Sequence, residues 1–307
     1  MMGRSLIKYG ISSLWILDGL LQLKPAMFTK SLITQVFLPN LVDQPQWLHP
    51  ILHWGIHQWA QHMLIANLGA AIIQIVIGIF IALPAPAWEK MGLGLSLVWS
   101  LIVWIWGEGL GMTLTPLANA VSGSPGSVFF YAVFAYLLWR PASDWTQGHI
   151  LSRIRWILIG LWTSATIWQM RMAFDHVHQL AWSLKMNQTR LPIPLFNTGI
   201  QNIITFTSRY PHLANNLLLM AFTVFTLFWL ILPYSRILIN LSVLWWLFWW
   251  IVGMDFGIWG ALATDPNSAP LWILLIVSSS LAARTPSTVS HVLPSRNTDV
   301  LSQHRGA

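Results

Sequence analysis

Long apolar runs separated by very few charges are the feature that most restricts how this chain can fold. Of its 307 residues, 55% are hydrophobic and 8% are charged, whereas soluble domains carry about 25% charged residues. This composition excludes a water-soluble globular enzyme, and the abundance of apolar residues excludes an intrinsically disordered chain. We therefore predict an all-α polytopic membrane protein whose cations flank its helices.

The apolar segments predict about eight membrane helices. A full crossing needs about 20 residues, so the fourth and eighth segments are short for a span. The predicted spans are 5–23, 62–83, 91–112, 125–139, 151–170, 213–233, 236–254 and 270–283. The first has Arg4 and Lys8 before its apolar run, as a signal sequence does. Because Asp18 interrupts that run and no small-x-small cleavage site follows, we interpret it as a retained helix.

The distribution of lysine and arginine predicts the orientation in the membrane. With the N-terminus in the cytoplasm, ten cations fall on the inner side and six on the outer side, where the two shortest loops have none. We expect a bacterial inner-membrane protein with both termini in the cytoplasm. The net charge of +7 comes from cations scattered between apolar runs, so no nucleic-acid partner is predicted. The chain has no cysteine, which excludes disulfides, thiolate metal sites and iron–sulfur clusters.

The second half of the chain repeats landmarks of the first at an offset of about 147 residues. The matching pairs are Trp15 with Trp162, Gln22 with Gln169, Asn67 with Asn216, the segment 107–111 with 253–257, and Ser124-Pro125-Gly126 with 264–267. Chance similarity between Trp- and Leu-rich helices is the alternative. The favoured interpretation is two parallel four-helix repeats, 1–140 and 149–284, followed by a disordered cytoplasmic tail at 285–307.

Polar side chains within the predicted spans converge near the outer surface. They are Asp18, Gln22, Asn67, Glu108, Asn216 and Asp255. A charge at the bilayer centre costs about 2.5–3.5 kcal/mol, and less near the interface. The acids should therefore face the bundle interior or a hydrated cleft. Two interpretations stay open: a functional polar site, or a scaffold in which these groups bond to backbone or to indoles and fix the helix packing.

A run of histidines follows the first predicted helix. His49, His53 and His57 recur every four residues and so share one side of a helix. Their imidazoles are suitable ligands for zinc, copper or haem iron, which makes His53 and His57 candidate metal ligands. The favoured alternative is an interfacial helix with the histidines on its wet face. Its bilayer face would then consist of Leu48, Ile51, Leu52 and Trp59.

Tryptophans and glycines form two further patterns. A Trp cluster on the seventh helix (Trp245, Trp246, Trp249 and Trp250) has counterparts on the third at Trp99, Trp104 and Trp106. Such rings can stack on a quinone or tetrapyrrole, but more often pack or anchor helices. Glycines at 107, 109 and 111 follow no strand, so a nucleotide fingerprint is not supported. They favour close helix approach or a helix break.

The pattern Leu14-Trp15-x-x-Asp18-Gly19-Leu20-x-Gln22-x-x-Pro25 resembles the opening of a family of uncharacterised bacterial polytopic membrane proteins. The resemblance continues in 107–111 and 263–270 and covers most of the chain, without the tail. Each half is also similar to the DoxX-like four-helix membrane fold in helix count and short helices. That group includes the membrane subunit of a thiosulfate:quinone oxidoreductase. The resemblance implies a redox-linked role but provides no catalytic residues for this chain.

Three functions are compatible with these patterns. The best specific hypothesis is a redox-linked membrane subunit that binds quinone or haem, with Asp18 and Glu108 handling protons and His53 and His57 as ligands. The second is a small-solute or metal-ion transporter, because duplicated halves with polar residues between them are typical of that class. The third is a structural or assembly subunit. The expected partners are the lipid bilayer and other subunits of a membrane complex.

Overall fold

The computed structural model describes residues 2–188 and 194–283, and within them all regular elements are helical. The main helices are α1 (Met2–Leu21), α2 (His49–Gln61), α3 (Met63–Ala82), α4 (Pro86–Ile102), α5 (Ser127–Trp139), α6 (His149–Asp175), α7 (Gln179–Met186), α8 (Pro194–Arg209), α9 (Pro211–Ile231), α10 (Arg236–Val252) and α11 (Ala269–Ala283). The predicted tail at 285–307 lies outside the described residues. Every predicted span coincides with one of these helices, at least in part.

Three segments are both long and apolar enough to cross a membrane. They are α3, α9 and the segment Pro86–Gly107, which consists of α4 and the turn after it. The helices α5, α10 and α11 are apolar but shorter. The chain is thus a helical protein with the length and composition of membrane spans in at least these three segments.

The helix predicted over 91–112 ends earlier than the sequence suggested. Regular helix stops at Ile102, and a π-helical turn occupies Val103–Gly107. Gly111 then has φ +60°, and a Cβ atom there would overlap the Pro125 carbonyl. Left-handed backbone at such close range is accessible to glycine and costly for other residues. The glycines therefore break the helix, and Glu108 lies in the turn beyond its end.

The helices pack in two similar groups. In the first half α1 packs on α3, α3 on α4, and α4 on α5. In the second half α6 packs on α9, α9 on α10, and α10 on α11. The groups meet where α11 contacts α1 and α5, and one continuous hydrophobic core runs through both.

An ion-paired cluster closes one end of the first group. Lys8 Nζ lies 2.7 Å from Glu89 Oε2 and 2.9 Å from the Leu83 carbonyl oxygen, and Arg4 also pairs with Glu89. Lys8 and Glu89 are both buried. The cluster therefore fixes the start of α1 to the start of α4. Because Arg4 and Lys8 pair with Glu89, they are not partners of Asp18 near the opposite end of α1.

The histidine segment is helical, as predicted, but its buried face is different. Leu52 and Ile56 of α2, with Leu48 just before it, are buried against the protein. The expectation that Leu48 and Leu52 lie on the bilayer is therefore wrong. The exposed apolar residues of this segment are Trp47, Ile51 and Trp54, because α2 packs on the turn after α4 and on α3.

Candidate functional site

A cavity of about 480 Å³ lies in the first half of the chain. It is enclosed by α1, α2, α3 and the turn after α4. Most of its wall is apolar or aromatic, with Phe37, Trp54, Trp59, Trp99 and Trp106 among the lining residues. Its polar lining includes Asp18, Gln22, Gln74, Glu108 and Asp265. An apolar pocket with a few convergent polar groups is the usual form of a small-molecule site.

Asp18 is held rigidly from one side and left without a partner on the other. It is only 2% exposed. The Tyr131 hydroxyl donates a 2.6 Å hydrogen bond to Oδ2, and the Tyr131 ring stacks on Trp15 with centroids 4.2 Å apart. Trp15 in turn donates its indole N–H to Ser96 Oγ at 3.0 Å. The second oxygen, Oδ1, is buried and has no hydrogen-bond partner. Asp18 thus lines the cavity with one of its two carboxyl oxygens left unpaired.

Glu108 is fixed by the start of α5. Its Oε1 accepts bonds from Ser127 N at 3.1 Å, Ser127 Oγ at 2.8 Å and Val128 N at 3.3 Å. Free N–H groups at a helix start favour a carboxylate. Gly126 has φ +96°, and a Cβ atom there would overlap Glu108 Oε2. That oxygen is buried without a partner, so this carboxyl also has one unpaired oxygen.

Two glutamines complete the polar wall. Gln22 is 8% exposed and Gln74, in the middle of α3, is 5% exposed. The Oε1 atoms of both are buried without partners. Asn67 donates to the Gln22 carbonyl oxygen at 2.7 Å and so holds the end of α1. A buried acceptor left unpaired costs about 1–3 kcal/mol, so four of them around one cavity require an explanation.

Asp265 is a site residue that the sequence pattern indicated only as a landmark of the repeat. It lies in the loop between α10 and α11, where Thr264 Oγ1 and Asn267 N donate to its carboxylate at 2.9 and 2.7 Å. Burial raises the pKa of the Asp265 carboxyl above its usual range. An acid just before Pro266, near the start of the last helix, was the available signal. For Gln74 the signal was a lone amide in a very apolar run.

The loop that carries Asp265 is joined to the end of α1. Lys24 Nζ donates to the carbonyl oxygens of Ile258 and Gly260 at 2.9 Å each, and lies 3.4 Å from that of Ala263. A lysine held by carbonyl groups is a charge-assisted contact. The second half of the chain thus contributes one wall of a cavity that otherwise belongs to the first half.

A second cavity of about 580 Å³ adjoins the first. Both are lined by Val36, Gly107, Glu108, Thr264 and Asp265. The second has a more polar lining, which includes Ser122, Ser124, Ser127, Asn187 and Asp255. Glu108 and Asp265 therefore lie between an apolar space and a polar one.

The structure brings together only part of the predicted polar set. Asp18, Gln22 and Glu108 line the first cavity, Asn67 supports it, and Asp255 lines the second cavity instead. The assignment of Asn216 was wrong because that side chain is exposed. Asn215 is buried in its place and accepts from Gln169 Nε2 at 2.8 Å. A shift of one residue turns a helical side chain by more than a quarter of a turn.

The two candidate metal ligands are not part of either cavity. His53 and His57 are exposed, and His57 contacts Gln61 at 2.9 Å. Neither of them lines the first cavity with Asp18 and Glu108, and only His62 of this run does so. In residues 2–188 and 194–283 no group of three or more His, Asp or Glu side chains is arranged to hold a metal ion.

The two tryptophan groups differ in what they contact. In the second half Trp246 stacks on Trp272 with centroids 4.3 Å apart, and Trp162 lies 5.5 Å from Trp246. These rings fill the core, as the packing interpretation predicts. In the first half Trp99 and Trp106 line the cavity instead.

Comparisons with protein-family models, with curated proteins and with solved structures find no match to this chain, so its function has to be inferred from the geometry of the cavity.

Proposed function

We propose that this chain is a multi-pass membrane protein that binds a ring molecule of the quinone class in the first cavity. Asp18 and Glu108 would exchange protons with the bound ring. The observation that carries the proposal is the pair of buried carboxylate oxygens, Asp18 Oδ1 and Glu108 Oε2, that lack partners beside an aromatic-walled cavity. Binding energy from a ring ligand would offset the cost of leaving these groups unpaired.

The cavity wall suits an amphipathic ring. Trp59 and Trp99 provide flat faces for stacking, and both have buried indole N–H groups without acceptors. Trp54 and Ile65 line the cavity and are themselves exposed, so the cavity has an apolar rim. An isoprenoid tail would leave across that rim into lipid. Haem is less suited to this cavity because His53 and His57 lie outside it.

The membrane arrangement is part of the same proposal. We place eight spans in two parallel four-helix units, with both termini in the cytoplasm of a bacterial cell. Lys8 and Arg4 at the start of α1, and no comparable basic cluster in the short loop before α5, support this orientation. The DoxX-like resemblance of each half favours the same helix count.

Equivalent contacts in the two halves support the internal duplication. Trp104 donates to the Pro125 carbonyl oxygen at 2.8 Å, and Trp250 donates to that of Pro266 at 2.8 Å. These pairs anchor the loops that follow α4 and α10. The same two pairs of residues also touch in each half, with the donor exchanged: Gln169 Nε2 donates to Asn215 Oδ1, whereas Asn67 Nδ2 donates to the Gln22 carbonyl oxygen.

The same correspondence assigns the ligand site to the first unit alone. With Trp15 aligned to Trp162, Asn67 to Asn215 and Pro125 to Pro266, Ala165 stands opposite Asp18, Phe222 opposite Gln74, and Trp272 opposite Tyr131. Phe222 and Trp272 are fully buried, and Trp162 packs against both at 6.0 and 5.3 Å. The second unit thus fills with aromatic rings the region where the first has polar groups and a cavity.

Small-solute transport is the second candidate function. The observation that favours it is the meeting of two cavities at Glu108 and Asp265. Uptake into proteoliposomes that depends on Glu108, and is lost in Glu108→Gln, would support transport. Equal uptake by the wild type and the variant for each solute tested would contradict it.

Ligand analysis of the purified protein tests the quinone proposal. Protein taken from native membranes in mild detergent is extracted with solvent, and quinones are quantified by mass spectrometry. We expect close to one quinone per chain for the wild type and a large loss for Glu108→Gln. The matched control is Asp144→Asn, because Asp144 pairs with Arg140 away from both cavities. Quinone contents that are equally low in all three proteins would contradict the proposal.

A further inference from the structure

The second cavity extends from Glu108 and Asp265 to the surface of the molecule. Its lining includes Gln35, Pro39 and Ala261, which are exposed residues. The rest of the wall is rich in hydroxyl, amide and glycine residues, and among the described residues it contains no lysine, arginine or histidine. A polar space of about 580 Å³ is large enough for several water molecules. Water can therefore reach this wall.

The Ser127 hydroxyl lies between two carboxyl groups of the second cavity. It donates a 2.8 Å hydrogen bond to Glu108 Oε1, and the same side chain also hydrogen-bonds the Asp265 carboxyl. Within the described part of the chain, the other hydrogen-bond partners of Glu108 are the backbone N–H groups of Ser127 and Val128. The hydroxyl is thus the exchangeable side-chain group that links the two acids.

Asp265 is the acid of this group that is suited to exchange protons with water. It is partly exposed and lines the second cavity, whereas Asp18 is 2% exposed. Partial burial still raises the pKa of the Asp265 carboxyl, against the opposing effect of hydrogen bonds from Ser127 and Thr264. A carboxyl with a raised pKa takes up and releases its proton closer to neutral pH than an ordinary aspartate does.

No cation neutralises the two acids that Ser127 links. Among residues 2–188 and 194–283, no lysine or arginine forms an ion pair with Glu108 or Asp265. Two carboxyl groups that are joined through one hydroxyl, without a cation, disfavour simultaneous ionisation. One proton shared between them is therefore the favoured arrangement, and the Ser127 hydroxyl provides the path along which that proton changes sides.

We propose, on the basis of the proposed function, that Ser127 and Asp265 relay protons between Glu108 at the first cavity and water in the second. When Glu108 carries the proton, its carboxyl donates to Ser127 Oγ. The hydroxyl then releases its own proton to Asp265, which passes a proton to water. One O–H bond forms for each one that breaks, the serine ends unchanged, and no electron is transferred.

Hydrogen–deuterium exchange of the Glu108 carboxyl tests the relay. The full chain in lipid nanodiscs, freed of bound ligand, is transferred from H₂O to D₂O at mildly acidic pH. Infrared spectra then follow the protonated carboxyl C=O band that is missing in Glu108→Gln. A positioned proton-transfer group typically contributes about 100-fold or more to a rate. We therefore expect Ser127→Ala and Asp265→Asn each to slow this exchange by at least about tenfold.

Matched variants separate the relay from a disturbed fold. Ser127→Thr keeps a hydroxyl at the same position and should exchange at the wild-type rate. Asp144→Asn removes a carboxyl that pairs with Arg140 away from both cavities, and it should also leave the rate unchanged. A monodisperse elution profile and a cooperative thermal transition establish folding for each variant.

The outcomes separate this inference from the proposed function. Slow exchange in Ser127→Ala and Asp265→Asn, with wild-type exchange in Ser127→Thr, supports the relay. Wild-type exchange in Ser127→Ala or in Asp265→Asn overturns it, because water then reaches Glu108 without that residue. A wild type whose Glu108 band is missing or does not exchange overturns it too, as does a Ser127→Thr variant as slow as Ser127→Ala. These rates are measured without ligand, so the quinone content tests the proposed function separately.

Discussion

At the scale of single residues, the position of the Glu108 carboxyl depends on the absence of a side chain at Gly126. The glycine has φ +96°, and the space that its Cβ would occupy contains Glu108 Oε2. Backbone in this region strains any other residue. The carboxyl therefore reaches the cavity through a position that only glycine permits.

Gly126→Ala should displace Glu108 and empty the site. We expect a loss of about 1–3 kcal/mol in the free energy of unfolding from backbone strain, together with loss of bound ligand. The measurements are the melting temperature in detergent and the quinone content. Gly160→Ala is the control, because nothing lies within 4 Å of its Cβ position in α6, and alanine favours helix by about 0.5–1 kcal/mol. Equal melting temperatures for both variants would contradict the assignment.

Asp265 should give a measurable pH dependence of stability. Burial raises the pKa of its carboxyl, so the folded protein binds this proton more tightly than the unfolded chain does. The contribution of the Asp265 carboxyl to the free energy of unfolding is fully present at low pH. It is lost as the pH rises from about 4, the ordinary aspartate pKa, through the raised pKa of the folded protein. The Asp265→Asn variant stays neutral, so its melting temperature should fall less than that of the wild type over this interval. Parallel pH profiles would contradict the expectation.

The sequence identified the residues of the site where a charge interrupts an apolar run. Asp18 and Glu108 were found in this way, and both line the cavity. Asn216 was chosen over its neighbour Asn215 because composition cannot fix the rotation of a helix to within one residue. Asp265 was not recognised as a site residue, because it lies in a loop that reaches the cavity only through tertiary contacts.

At the scale of elements, the loop between α10 and α11 is held by a residue from the other half of the chain. Lys24 donates to carbonyl oxygens on both sides of a turn, at Ile258 and Gly260. Among the described residues, no other side chain donates a hydrogen bond to the Ile258 or Gly260 carbonyl oxygen. Lys24 therefore determines where the loop lies. Asp265 follows a few residues later and depends on that placement.

Lys24→Met should loosen this loop while leaving the helices intact. We expect faster hydrogen exchange over 258–265, a stability loss of about 1–3 kcal/mol and weaker ligand binding. Lys30→Met is the matched control, because Lys30 is exposed and makes none of these bonds. Unchanged exchange in the loop of Lys24→Met would show that the carbonyl contacts do not hold it.

Helix positions were predictable to the extent that apolar runs and helices coincide. Helices α3 and α5 agree with the predicted spans to within two residues. The end of α4 was not predictable from apolarity, because the run continues through Trp104, Ile105 and Trp106 while the backbone changes to a π-helical turn. Gly107, Gly109 and Gly111 were sufficient to predict a break in the helix, but not the residue at which the helix ends.

At the scale of the whole molecule, the first half of the chain lines the cavity, whereas aromatic rings are buried at the corresponding described positions of the second half. Gln74 of α3 and Phe222 of α9 stand at equivalent positions of the proposed repeat. The amide leaves a buried acceptor unpaired, whereas Phe222 packs 5.6 Å from Trp245. The first unit thus keeps polar groups that reduce its stability, which is typical of functional sites.

Gln74→Phe should make the first unit resemble the second. Burying a phenylalanine contributes about 1.5–3 kcal/mol, and the unpaired amide oxygen is removed, so we expect a higher melting temperature together with loss of ligand. The converse change, Phe222→Gln, should lower the melting temperature and leave ligand binding in the first unit. Ligand retained at the wild-type level in Gln74→Phe would contradict the position of the site.

The absence of cysteine from the chain allows a direct test of the eight-span arrangement. Single cysteines at Ser143 and Ala261, both exposed, would be placed on opposite sides of the membrane. In intact inner-membrane spheroplasts, a membrane-impermeant maleimide should label Ala261→Cys and should label Ser143→Cys only after lysis. Labelling of both before lysis would refute the orientation. The helical character of the described residues was predictable from the apolar runs, whereas the cavity required the tertiary arrangement of α1, α2 and α3.

The exposed rim formed by Trp54 and Ile65 has a consequence for how strongly the site needs to bind. A ligand that crosses this rim arrives from the lipid phase, where a hydrophobic molecule is already concentrated by partitioning. Occupancy then follows the mole fraction of ligand in the bilayer, and its aqueous solubility becomes irrelevant. Modest intrinsic affinity is sufficient under those conditions, and we expect excess detergent to strip the ligand by dilution even though the fold survives.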